Sequence, residues 1–134
     1  MGDGQSLPMA TDGRPFIAYH GTSASNADAI QRNGFNVSLS GCGGRGVYLA
    51  ASSKAQRFAH DFHAQAPTLL KCEVTFRQAK YASTDDRGWQ AEGYDACRME
   101  RTSLSRNPEW CVASGDQVKV LEVISLAGRA RPAT

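Results

Sequence analysis

Apolar residues in this chain come in short runs parted by polar, glycine-rich stretches, and two of the intervals carry a helical period. Phe16–Tyr19 is an apolar run bounded by Pro15 and Gly21, which reads as a strand. Ala24, Ala27 and Ile30 then recur at helical spacing. Ser23 or Ser25 can cap that helix, Asp28 near its first turn suits the helix dipole, and Asn33-Gly34 closes it. Phe35 is expected to pack back, and residues 36–46 form a loop with Gly at 41, 43, 44 and 46. Val47–Ala50 is a second short strand. Ser52 or Ser53 opens a second helix, Lys54 to about Gln65, with Phe58, Phe62 and Ala55 on its apolar face and Pro67 as its stop. Thr68–Phe76 alternates as a long strand with Leu70, Cys72, Val74 and Phe76 on one side. Residues 77–93 are polar and turn-rich. Tyr94–Met99, Glu109–Ala113 and Gln117–Leu126 complete the strands, separated by a loop at 101–108 and a turn at 114–116.

Helices early and strands late argue for an α+β domain with antiparallel or mixed sheets, not a doubly wound parallel sheet. At 134 residues the chain is one domain and long enough to bury a core without staples. The expected division is a flexible or loosely docked leader at 1–14, a domain at 15–127 and a tail at 128–134. A charged fraction of 21% and a net charge of +2 are too mild to argue for nucleic acid. The four Cys (42, 72, 97, 111) form no C-x-x-C pair. They read as small apolar residues of a reducing, intracellular compartment, with export and two disulfides as the lesser reading. No apolar run is long enough for a membrane span. The start lacks a secretory signal, although MGDGQS fits the loose myristoylation pattern at Gly2.

Taken singly, the candidate chemical residues are weak signals. His20 sits at a strand end, where a structural hydrogen-bonding role is the plainer reading. GCGGRG has the glycine spacing of a dinucleotide fingerprint, but a strand follows it where that fingerprint needs a helix. Bare, it is a flexible turn whose amides could meet a diphosphate. Tyr48 faces away from Val47 and Leu49, and Glu109 begins an apolar strand. His60 and His63 lie three apart on the second helix without a cluster to make them metal ligands.

The order of these pieces carries more. YHGTS, then A-x-x-I-x-x-x-G-F, then GRGVYLA and SKAQRFAH, resemble the first half of the ADP-ribosyltransferase domain of the poly(ADP-ribose) polymerase (PARP) class. GYDA followed by EWCVASGDQVKVLEVI is similar to the small Gig2-like branch, so the resemblance runs from about Phe16 to Leu126. It implies the ADP-ribosyltransferase fold, with two packed antiparallel or mixed sheets and flanking helices around an NAD cleft. It also implies a His-Tyr-Glu triad of His20, Tyr48 and Glu109. By this resemblance His20 holds a ribose hydroxyl of NAD, Gly21 and Thr22 border the nicotinamide amide, and Tyr48 and Phe58 stack on the ring. Glu109 drives catalysis. Arg45, bordering the glycine loop, either meets the diphosphate or is simply solvated. The family's amide-gripping Ser falls on Ala55, so Ser53 or Ser52 is the candidate substitute. NAD is then a substrate, no metal is required, and the acceptor is a protein modified with a single ADP-ribose. A nucleic-acid acceptor, water as acceptor (an NAD glycohydrolase) and a non-catalytic NAD- or ADP-ribose-binding module are the alternatives. A monomer is expected.

Overall fold

The computed structural model describes Leu7 and residues 13–133, and the myristoylation pattern lies outside them. Strand β1 spans Phe16–Ser23, longer than its apolar run. It continues through His20, Gly21 and Thr22 because the neighbouring strand β3 (Pro67–Val74) pairs with it throughout, from Phe16 opposite Val74 to Ser23 opposite Pro67. His20 is therefore inside a strand, not at its end.

Helix α1 (Ala24–Asn33) starts where Ser23 Oγ accepts the Asn26 N–H at 3.1 Å. It stops at Gly34, whose φ of 81° favours glycine. Asp28 lies beyond the first turn and pairs with Arg32 one turn on, 3.1 Å away in the open. Strand β2 is Val47–Ala50. Helix α2 covers Ser52–Phe62, so it ends before Pro67, which instead opens β3.

The buried face of α2 keeps Ala55 of the expected one but not its two phenylalanines. Phe58 and Phe62 are 48% and 69% exposed, and the buried residues are Ser52, Ala55, Arg57 and Ala59. Gly21 gives the reason. A Cβ on Gly21 would lie 2.0 Å from the Ala55 carbonyl oxygen, so helix and strand backbones nearly touch and only small side chains fit between them. The two phenylalanines are left to stack on each other, 4.7 Å between ring centroids.

Strands β4 (Ala79–Ala82), β5 (Ala96–Met99), β6 (Glu109–Val112) and β7 (Val118–Ser125) follow. All seven strands form one sheet, in the order β4-β5-β6-β2-β1-β3-β7, instead of two packed sheets. It is mixed, because β4 runs parallel to β5 while the other pairs are antiparallel. The fold is thus α+β, and β4 lies in the stretch that reads as turns. The sheet has a seam. β1 meets β2 at a single residue pair, Tyr19 opposite Ala50, whereas β2 pairs with β6 along its length.

Leu70, Cys72 and Val74 of β3 are fully buried as the alternation implies, packed with Ala18, Leu49 and Val112. Each such aliphatic side chain contributes about 1.5–3 kcal/mol of burial energy. Trp110 is enclosed here too, with Phe16 and Phe76 rings 4.8 and 5.6 Å away. On the α2 side, Ala55 and Ala59 pack with Tyr19, Leu69 and Leu126.

Leu7 and residues 128–133 make defined contacts with the rest of the domain. Leu7 is buried in the main core and its carbonyl accepts from Arg98 at 3.1 Å. Residues 128–133 run along α2, where Arg131 grips Asp61 through two bonds of 2.6 and 3.0 Å and Arg57 donates to the Ala133 carbonyl. All four cysteines are free, and Cys72, Cys97 and Cys111 are buried. Among the described residues, no helix is long and apolar enough to cross a membrane.

Candidate active site

The seam in the sheet opens into a cavity of about 80 Å³. Where β1 and β2 part, His20 and Gly21 face Tyr48, while Lys54, Ala55 and Phe58 of α2 close one side and Glu109 the far end. Four separate segments thus contribute to one hollow. A hollow of this size is far smaller than a pocket for a whole dinucleotide.

His20 stitches the seam. Its Nδ1 donates to the Tyr48 carbonyl at 2.9 Å, and because a carbonyl only accepts, Nδ1 carries the proton. Nε2 remains an acceptor. Burial holds the imidazole below its ordinary pKa against the opposing pull of that hydrogen bond, so the ring is neutral near pH 7. Phe35 packs edge-on against it at 5.2 Å. Beyond His20 lies a second, more polar hollow of about 220 Å³, bordered by Thr22, Asn26, Asn33 and Phe35.

Tyr48 borders the first cavity, but its hydroxyl is committed elsewhere. It donates to the Gly44 carbonyl and accepts the Gly43 N–H at 3.0 Å. Burial raises its pKa far above the ordinary value, so it stays a phenol. Its ring therefore braces the glycine loop as well as lining the cavity.

That loop is neither a flexible turn nor a bare cradle of amides. The amides of Gly44 and Gly46 donate to the carbonyls of Gly41 and Ser38. The connection between β4 and β5 clamps its other edge. The Asp86 N–H, Arg87 Nε, Trp89 Nε1 and Gln90 Nε2 donate in turn to the carbonyls of Cys42, Gly41, Gly43 and Arg45, at 3.1, 2.8, 2.8 and 2.5 Å. A diphosphate needs N–H donors, and those of Gly43, Gly44 and Gly46 are already engaged within the protein. The Arg45 side chain is exposed and does not border the cavity, and neither does Ser53. Ala55, where the resemblance places an amide-gripping Ser, does border it. Buried Ser52 accepts from Gln56 at 2.8 Å.

Glu109 heads β6, opposite Ala50 of β2, and both residues border the cavity. Two groups reach its Oε1: the Lys54 ammonium at 3.5 Å and the Cys42 thiol at 3.4 Å. Lys54 also donates to the Asn107 carbonyl at 2.9 Å, tying α2 to the loop that leads into β6. Burial lowers the Lys54 pKa, and the Glu109 charge opposes that shift. The sequence reading missed both partners. Lys54 could have been found, since it lies one turn before Phe58 on the same face of α2. Cys42 gave no signal, being a single thiol in a loop.

In chemical terms the cavity offers a largely apolar lining, a neutral imidazole and one carboxylate held beside a cation. A carboxylate so placed can stabilise positive charge developing on a bound group. Among the described residues no group of three or more His, Cys, Asp or Glu is arranged to hold a metal ion. The chain matches no protein-family model and no curated protein.

Proposed function

We propose that the chain is a PARP-like mono-ADP-ribosyltransferase that consumes NAD, releases nicotinamide and passes one ADP-ribose to a protein acceptor. One observation carries the reading. Of the eight site residues put forward from the sequence, five (His20, Gly21, Tyr48, Phe58 and Glu109), from four segments of the chain, border the same cavity, while Thr22, Arg45 and Ser53 do not.

In this reading nicotinamide enters at the cavity bordered by Tyr48 and Phe58, where flat stacking holds it at low entropic cost. His20 meets a ribose hydroxyl through Nε2, and the polar hollow bordered by Thr22 and Asn26 takes another part of the dinucleotide. The bond between ribose C1′ and the pyridinium nitrogen breaks, and its electron pair neutralises the ring. Positive charge builds on C1′ and the ring oxygen. Glu109 stabilises that charge, and the acceptor nucleophile then bonds to C1′ and gives up its proton. The four free thiols suit a reducing, intracellular setting.

Incubation with NAD labelled on the adenylate tests this by where the label goes. Label on protein supports transfer to protein. Label released as free ADP-ribose supports the glycohydrolase, and label on an added oligonucleotide supports a nucleic-acid acceptor. Calorimetric NAD binding with no product supports a non-catalytic module.

A further inference from the structure

The structure points to a role for Cys42 that the function proposed above leaves unassigned. We propose that Cys42 is a positioning residue, whose thiol donates a hydrogen bond that orients the Glu109 carboxylate toward the ribose. This rests on the ADP-ribosyltransferase reading for its catalytic consequence, but not for the contact itself.

Three observations support it. First, the Cys42 Sγ to Glu109 Oε1 distance of 3.4 Å joins the glycine loop to the head of β6 across 67 positions of sequence. Second, the loop bearing the thiol is braced. The Cys42 carbonyl accepts the Asp86 N–H, and its neighbours Gly41 and Gly43 accept from Arg87 and Trp89. A donor on a braced loop fixes what it holds, whereas a donor on a mobile turn would follow it. Third, the thiol is suited to donating and poorly suited to attack. Burial, then the Glu109 charge, push it up to about 11, so at neutral pH it keeps its proton. Lys54 holds the same oxygen from α2, and the two donors fix the carboxylate from two directions. Lys54 itself feels Arg57, and Cys42 feels Asp85 from the β4–β5 connection.

The test compares wild type with Cys42→Ala, which lacks the donor, and Cys42→Ser, which restores one. Cys42→Val fills the volume without a donor and replaces Cys42→Ala if that variant does not fold. The first readout is the carbon-13 chemical shift of the Glu109 side-chain carboxyl at neutral pH, which reports hydrogen bonding to that group and needs no turnover. The second is kcat and KM for NAD. Cys42→Ala should move the Glu109 carboxyl resonance, because a donor to Oε1 is gone. It should lower kcat roughly three- to tenfold with KM within about twofold. Cys42→Ser should keep both near wild type. An unmoved Glu109 resonance in Cys42→Ala, or equal behaviour of Ala and Ser variants, overturns the assignment. A moved resonance restored by Ser, in a protein that never consumes NAD, upholds the contact and defeats the transferase reading instead.

Discussion

Gly21→Ala is the sharpest test of how the cavity wall is built. The added methyl would meet the Ala55 carbonyl oxygen at 2.0 Å, with the Ala59 amide nitrogen at 3.1 Å. Both obstacles are helix backbone, so no rotamer change relieves them, and α2 must retreat by about 1 Å. Overpacking of this kind costs about 1–3 kcal/mol, and a backbone obstacle places it near 3. With a urea m-value of about 2 kcal/mol/M, the unfolding midpoint should fall by about 1.5 M. The retreat also withdraws Lys54, Ala55 and Phe58 from the cavity, so NAD binding should weaken with stability. Gly88→Ala is the control: its Cβ would meet only Asp86 Oδ1 at 3.8 Å, and the change should stay within about 0.5 kcal/mol. Equilibrium urea unfolding followed by Trp fluorescence measures both. A Gly21→Ala midpoint indistinguishable from that of Gly88→Ala would refute the close packing of α2 on β1.

Two further outcomes follow from the hydrogen bonds around the site. The folded His20 has a lowered pKa, so the unfolded state binds more protons below the ordinary His value of about 6.5. Its contribution is fully present above that pH and is lost as the pH falls toward the folded pKa; His20→Gln should flatten that part of a stability-versus-pH curve, and an unchanged slope would contradict a buried neutral imidazole. Trp89→Phe removes the indole donor to the Gly43 carbonyl while keeping an aromatic ring in place. It should cost about 1–3 kcal/mol and speed amide exchange across 41–46, and unaltered exchange there would show that the clamp does not hold the loop.

Much of this arrangement is legible in local pattern. The period-two alternation of Leu70, Cys72 and Val74 foretells a strand whose one face is wholly buried, and Ser23 with Gly34 marks the ends of α1. What local pattern misses is set by distant partners. The aromatic stripe of Phe58 and Phe62 is the most apolar feature of α2, yet the helix buries Ala55 and Ala59, because a glycine thirty-four positions before Ala55 draws the backbones together. β4 is a short strand in polar sequence, made by its parallel pairing with β5. The glycine loop reads as flexible because its composition is visible while its four donors, from Asp86 to Gln90, lie some forty-five positions on. At the site, His20, Gly21, Tyr48, Phe58 and Glu109 are brought to one cavity, whereas Thr22, Arg45 and Ser53 are not. The strand phase of Tyr48 is local, but the seam is not, because it lies where β1 and β2 pair only at Tyr19 and Ala50, some thirty positions apart in the chain.

The central claim is that Glu109 turns this cavity into a catalyst of NAD cleavage. The direct measurement is the initial rate of nicotinamide release from NAD by wild type and by Glu109→Gln, which keeps the side-chain volume and removes the charge. If the carboxylate stabilises the developing charge on ribose, the variant should retain its fold and NAD binding while its rate falls by about 100-fold or more. Equal rates from the two proteins, or no release by wild type under conditions where it binds NAD, would contradict it.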